Sequence, residues 1–382
     1  MKRLFLFFLF LFLIISFTHA TVYFGSDENI RLDFAPISPL YKESIAYPFS
    51  TNVRFYYMMA PERDSSVTNS ILVSAADTSG EPTYIEKEFK DFNLNNRKYW
   101  GLKSCVNLGL LRFSFGDDIR KTVAAEVYIH GGINTVFGAY GGVDCLGFDG
   151  QYGLGIAAQF LESISMRFGF HHFSGHWGDE ILEDFYSKGY VEGTDYKAIT
   201  EFTRNNSWYF GVSYEAFNTV RIAVDVELPE RKAWIRPAAH VPANTAKPSS
   251  EESPEAANTA SHIWAQEGFD GRNNYGYPAS YKGWRIGLSL EAQYKLKNIG
   301  RAYVGIDWQL HQDGKIDIAT ANYDQALPWK QEFTAVAGIS LRDRTDLPEF
   351  NIEFSYHTGR FPLLNYWFKE IEYFSFGIGV TL

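Results

Sequence analysis

A period of two runs through nearly the whole chain after its first twenty residues, and it limits the possible folds more than any other feature. From Gly283 to Leu296 the even positions read Trp284, Ile286, Leu288, Leu290, Ala292, Tyr294 and Leu296, while the odd ones read Gly283, Arg285, Gly287, Ser289, Glu291, Gln293 and Lys295. Ala302, Val304, Ile306, Trp308 and Leu310 repeat the pattern, and so do Phe374, Phe376, Ile378, Val380 and Leu382. Successive side chains of a strand point to opposite sides, so each segment carries one apolar face and one polar or glycine face.

About twelve such segments are predicted, each with the roughly 9–11 residues, or somewhat more, that a tilted strand needs to cross a bilayer. They fall near 53–60, 98–113, 121–132, 149–160, 163–176, 201–215, 218–229, 283–296, 300–312, 330–342, 349–358 and 370–382. Short connections near 116–120, 161–162, 216–217, 297–299 and 343–348 alternate with long ones near 61–97, 133–148, 177–200, 230–282, 313–329 and 359–369. Short turns on one side, long loops on the other and an even strand number describe a transmembrane antiparallel β-barrel, with short periplasmic turns and long outer loops. A soluble β-sandwich also alternates, but its outer faces would be mostly charged. Here the second face mixes Gly, Ser, Tyr, Arg and Glu, as a barrel interior does. Arg221, Asp225, Glu227, Arg285, Glu291, Arg301, Asp307 and Glu353 are placed on that interior face, where they can pair and fill the lumen. His130, His311 and His357 also point inward.

The first twenty residues read as an export signal. Lys2 and Arg3 precede a Leu/Phe/Ile stretch from Leu4 to Phe17, and Thr18-His19-Ala20 offers small residues at a cleavage site. No Cys follows that stretch, so a lipoprotein modification is not expected. Residues 21–382 then form one barrel domain, expected in the outer membrane of a diderm (Gram-negative-type) bacterium after signal-peptide cleavage. Its expected partners are outer-membrane lipids and the barrel-assembly machinery. The formal net charge of -10, without a Lys/Arg block, gives no reason to expect nucleic acid. With 46% hydrophobic and 17% aromatic residues the chain is not of the disordered class, and 2 Cys are too few for a disulfide scaffold. Cys105 and Cys145 could pair in an oxidising compartment. Pro237 to Ser261, within the long 230–282 connection, is rich in Ala, Pro, Ser, Thr and Glu and is expected to be a mobile surface loop. Gly153-x-Gly155-x-x-Ala158 mimics a dinucleotide fingerprint, but its alternation makes it another strand.

One segment carries more chemistry than a barrel needs. Residues 171–180 read His171-His172-Phe173-Ser174-Gly175-His176-Trp177-Gly178-Asp179-Glu180. Counting on from Ile164, Met166, Phe168 and Phe170 places His172, Ser174 and His176 on the apolar, lipid-directed face, where polar residues cost free energy unless they find partners. Residues two apart on one face are ~7 Å apart between Cα atoms, so a His-activated Ser nucleophile is within reach. A third group should orient the His. Counting back from Trp208, Phe210, Val212 and Tyr214 puts Asn206 on the same face of the next strand, with Glu180 the second candidate. His172 and His176 lie ~13 Å apart on an extended strand, too far to share a zinc ion without a bulge or turn. Asp179, Glu180 and His176 are weaker metal candidates, the two carboxylates for a hard cation such as calcium. No other cofactor is indicated. At a membrane interface His, Ser and Trp are also ordinary structural residues.

The run from Ala124 to Glu180 resembles the bacterial family known as domain of unknown function 1207, whose members look like envelope β-barrels. The matching features are Gly131-Gly132, the Asp149-Gly-x-Tyr152-Gly153-Leu154-Gly155 strand, and above all His172-x-Ser174-x-His176-x-Gly178-Asp179-Glu180. Arg301 to Gln312 and Tyr356-x-x-Gly359-Arg360 are similar to further parts of its pattern. That resemblance implies a location and a fold but no reaction. A second likeness covers two or three positions only. Outer-membrane phospholipase A and lipid A deacylase use a His-x-Ser pair on a barrel's lipid-directed face, and His172 and Ser174 are similar in spacing and face. Asn206 is similar in kind to the phospholipase's third residue. By this site-level analogy the chain is expected to be a lipid acyl-ester hydrolase acting on phospholipid or lipid A. The alternative is a non-enzymatic barrel, a narrow channel or a surface-exposed scaffold.

Overall fold

The structure, a computed structural model, describes residues 20–24, 29–36, 39–61, 70–76, 82–88, 98–116, 123–138, 145–161, 163–178, 203–229, 284–297, 299–311, 329–342, 348–364 and 370–381. Its elements in chain order are β1 (Ala20–Phe24), β2 (Ile30–Phe34), β3 (Val53–Met59), β4 (Ser70–Ala76), β5 (Pro82–Glu88), β6 (Lys98–Phe115), β7 (Val123–Gly138) and β8 (Cys145–Phe160), followed by β9 (Ile164–Trp177), β10 (Thr203–Ala216), β11 (Val220–Pro229), β12 (Arg285–Leu296), β13 (Gly300–His311), β14 (Lys330–Leu341), β15 (Glu349–Arg360) and β16 (Glu370–Thr381). From β6 to β16 each strand pairs antiparallel with its neighbour in sequence. β16 then pairs with β3, and β3 with β6, which closes a twelve-stranded barrel. Closure leaves the cylinder no open edge, the condition for a sheet in lipid.

Alternation sorts the two faces as expected. Along β8, Tyr152, Leu154 and Ile156 are 63%, 60% and 57% exposed, while Gln151 and Ala157, which flank them, are buried. Phe168, Trp208, Phe210, Ile222, Leu288 and Phe376 continue the exposed apolar surface around the barrel. An outward apolar face running around a closed barrel is the pattern of a barrel in lipid.

Gly131 and Gly132 interrupt the alternation and were expected to end a strand, yet β7 continues to Gly138 and β8 starts at Cys145. The two glycines stay in the ladder, opposite Tyr152 and Gln151. A Cβ on Gly132 would lie 2.5 Å from Cys105 Sγ, so the missing side chain makes room for the lumen. Two hairpins were not foreseen: β1–β2, which adds to β6 beyond the end of β3, and β4–β5 within 61–97. The turn between β10 and β11 holds Phe217 and Asn218 at φ 57 and 54, closed by Thr219 N–H donating to Ala216 C=O at 3.0 Å. Positive φ at both central positions is the hairpin geometry that matches strand twist. Phe217 is 95% exposed there.

The lumen is filled, in large part by chain that carries no periodic signal. Residues 39–52 run through it as a strap held by the wall. Leu40 N–H donates to Glu126 at 3.2 Å, Ile45 N–H to Glu291 at 2.7 Å, and Tyr41 OH to Asp225 at 3.1 Å. Arg167 bridges Glu43 of the strap (3.1 Å) and Asp225 of the wall (2.7 Å), and packs over the Tyr41 ring. From the long-loop end, Phe361, Leu363 and Leu364 also turn inward, and Leu364 N–H donates to Asp149 at 2.9 Å. The predicted interior charges do pair: Arg221 with Glu291, Arg285 with Glu227, Arg301 with Glu349 and Glu353 with Arg54. Asp307 accepts from Gln309. His311 and His357 are buried inside, and His130 meets Gln151 there. A cavity of about 500 Å³ remains at the short-turn end, lined by Arg221, Arg301, Arg342 and Glu349 among others. Neither Cys105 nor Cys145 is in a disulfide.

Candidate active site

β9 stays extended from His171 to Trp177, the first seven residues of the predicted motif, and stops there. Its outward face carries Ile164, Met166, Phe168 and Phe170, then His172, Ser174 and His176 as the strand nears its long-loop end. The ladder fixes what stands beside each of them. His172 is opposite Tyr152 on β8 and Asn206 on β10, one row above Leu154, Phe170 and Trp208. Ser174 is opposite Gly150 on β8 and Arg204 on β10.

His172 Nδ1 and Asn206 Oδ1 are 2.8 Å apart. An amide oxygen only accepts, so with this orientation the ring carries its proton on Nδ1 and Nε2 keeps its lone pair. That is the tautomer a base toward a hydroxyl requires, with the amide in the orienting role. The Tyr152 ring packs on the other side of the imidazole, centroids 5.0 Å apart at 37°. His172 and Ser174 make no hydrogen bond with each other in this structure. Such contacts commonly tighten only when substrate is bound.

The remaining predicted residues separate. His176 stacks on Phe148 at 4.5 Å and 16°, and the unbroken strand keeps it two rows from His172, so the two imidazoles do not converge. Among the described residues no group of three His, Cys, Asp or Glu side chains gathers as a metal ion would need. Asp179 and Glu180, the calcium candidates, lie outside the described residues. Tyr152, Phe148 and Gly150 were not singled out from sequence as parts of the site. Their parity on β8 was legible, but which row of β9 they would meet was not.

Behind this face stands a different set of groups. His171, next in the chain to His172, points inward, where its Nε2 meets Glu227 at 2.8 Å and its Nδ1 meets Gln151 at 3.0 Å. Glu227 also accepts from Arg285 Nε at 2.9 Å. Ser165 and Ser213 share a hydrogen bond of 2.7 Å. These contacts pin β9 against β8, β10 and β11 directly under the outward row.

No family model matches the chain, and no curated protein is detectably similar to it in sequence. Solved structures of outer-membrane barrels are similar to it in architecture. Outer-membrane phospholipase A from Escherichia coli aligns at TM-score 0.42 and 9% identity, over 87% of this chain and 93% of that one. The Salmonella typhi phospholipase, a dimer with bound calcium, aligns at 0.40 and 9%, over 87% and 91%. An outer-membrane channel from Pseudomonas putida aligns at 0.36 and 10%, over 89% and 98%. The chain is similar to barrels of both kinds, enzyme and channel.

Proposed function

We propose that this outer-membrane-type barrel resides in the outer membrane and hydrolyses acyl esters of lipids there, with Ser174 as nucleophile, His172 as general base and Asn206 orienting His172. The observation that carries the reading is the 2.8 Å contact of His172 with Asn206 on the lipid-directed face, in the row next to Ser174. The ester of a membrane lipid lies at the level where an apolar barrel surface gives way to polar groups, so a nucleophile in the last outward rows of β9 meets it without extracting the lipid.

In the first step Ser174 Oγ attacks the ester carbonyl carbon as its proton passes to His172 Nε2. The ester C–O bond then breaks, and the same proton leaves with the alcohol oxygen of the lipid backbone. Water attacks the acyl-serine, giving its proton to Nε2, and the proton returns to Ser174 as the fatty acid departs. Throughout, Nδ1–H donates to Asn206, which favours the imidazolium without itself taking a proton.

The test is mass spectrometry of lipids from outer-membrane-like liposomes holding the purified chain or its Ser174→Ala variant, with and without added calcium. Fatty acid released by the intact chain alone is the expected result. Equal release from both proteins would remove Ser174 from the chemistry. No release from either would leave the scaffold reading, which the strap-filled lumen favours over an open channel.

A further inference from the structure

We infer that Gly150 is the floor of a slot on the barrel's outer surface that seats a single linear acyl chain beside Ser174, making this glycine a specificity-determining position; the inference rests on the hydrolase reading above. Ser174 lies between two ring pairs, Tyr152 with His172 on one side and Phe148 with His176 on the other. Phe148, Gly150 and Tyr152 share the outward face of β8, so the two rings wall a gap whose floor is glycine backbone. A Cβ on Gly150 would meet Ser174 Oγ at 3.4 Å and Ser174 O at 3.9 Å, and no other group within 4 Å. The one direction in which Ser174 is not flanked by a side chain of β8 is therefore across Gly150.

The far end of that gap is apolar. Gly150 pairs with Ile133 on β7, which is 41% exposed on the same outward surface. A chain lying across β8 runs from the polar hydroxyl of Ser174, over the glycine floor, onto Ile133. Its carbonyl carbon then sits at the nucleophile while its methylenes replace lipid contacts with protein contacts of equal polarity. Nothing is gained from hydrophobic transfer, because both surroundings are hydrocarbon. Selection comes from shape: the slot has the width of one missing side chain, and a branched acyl group or a filled floor does not fit. No positive φ requires glycine at position 150, so a side chain there changes space and leaves the backbone unstrained.

The experiment compares full-length protein in detergent micelles with its Gly150→Leu, Gly131→Ala and Ser174→Ala variants, on palmitoyl and butyryl esters of one alcohol. Each variant is first checked for folding by heat-modifiable migration. Gly131 is the control, since a Cβ there meets only Gln151 O at 3.7 Å and Tyr152 Cβ at 4.0 Å. Gly150→Leu is expected to lower kcat/KM for the palmitoyl ester by about tenfold to a hundredfold, the range a misfit in an apolar site produces. The butyryl ester should change by less than about threefold, and Gly131→Ala should match the parent on both. Equal loss on both esters, or none on either, overturns the slot while an inactive Ser174→Ala variant keeps the hydrolase reading. If the intact chain turns over neither ester, the hydrolase reading fails and takes the slot with it.

Discussion

His171 and His172 are neighbours in the chain and opposites in the fold. His171 faces the lumen, where both ring nitrogens have partners in Gln151 and Glu227, and it is 2% exposed. His172 faces outward, half-buried, with Asn206 on one nitrogen and none of these interior groups within its reach. The charged groups around His171 are paired, as buried charges must be, because an unpaired one costs several kcal/mol. Gln151 Oε1 and His130 Nε2 beside them are left without a hydrogen-bond partner among the described residues. The outer groups His172, Asn206 and Ser174 sit where an apolar row would be cheaper. On the proposed function, that polar row serves the reaction and not stability. The two faces should therefore fail in different ways, one losing reaction and the other losing fold.

The largest effect is expected from Ser174→Ala and His172→Ala. Each should lower lipid acyl release by about 10⁶-fold, the scale on which loss of a serine nucleophile or its histidine base acts. Neither should change the urea midpoint of unfolding. A variant that unfolds easily instead would place His172 with the structural set. Next comes Glu227→Ala on the inner face, which takes a carboxylate from Arg285 and His171. About 3–5 kcal/mol of stability should be lost, read from reversible urea unfolding in lipid, while the folded fraction keeps its turnover. Loss of turnover at full stability would show that the inner network acts on the outer face.

Asn206→Ala removes one hydrogen bond to a group that becomes charged, worth about 1.5–3 kcal/mol, which is about tenfold to a hundredfold in kcat. Asn206→Asp should recover most of it, since the carboxylate accepts from the same Nδ1–H. Failure of Asp to rescue would mean that Asn206 supports packing and not the imidazolium. The smallest effect on turnover belongs to Tyr41→Phe in the strap, which loses the hydrogen bond to the Asp225 carboxylate at a cost of about 1.5–3 kcal/mol in stability. Asp225 keeps its Arg167 partner, so both turnover and closure of the lumen should persist. Single-channel recordings that open on this change would mean that the strap is a gate held by very little.

Much of this architecture was legible because a strand's side-chain period is fixed at two. Trp284 to Leu296 or Phe374 to Leu382 can satisfy both lipid and lumen in only one orientation, and a slip of one residue would exchange every side chain between them. The same counting placed His172, Ser174 and Asn206 on one face. Gly131-Gly132 misled, because the pair signals a strand end in the chain, whereas in the fold Gly132 admits Cys105 and Phe49 of the lumen filling and Gly131 simply stays in the ladder. The hairpins β1–β2 and β4–β5 escaped because short segments with partial alternation carry little signal.

By itself, then, the sequence determined the class of fold, the number of barrel strands and the face on which each residue stands, since all three follow from local periodicity and turn length. Tertiary structure alone decided which residues meet across strands. His172 and Asn206 are separated by 34 positions and a long connection, so no tight turn sets their register. Closure of the barrel sets it, by forcing every strand into one consistent ladder, and that ladder also put Gly150 beside Ser174. It decided as well that residues 39–52, which have no period, would cross the lumen, because only the assembled wall brings Glu126, Asp225 and Glu291 to one strap of chain.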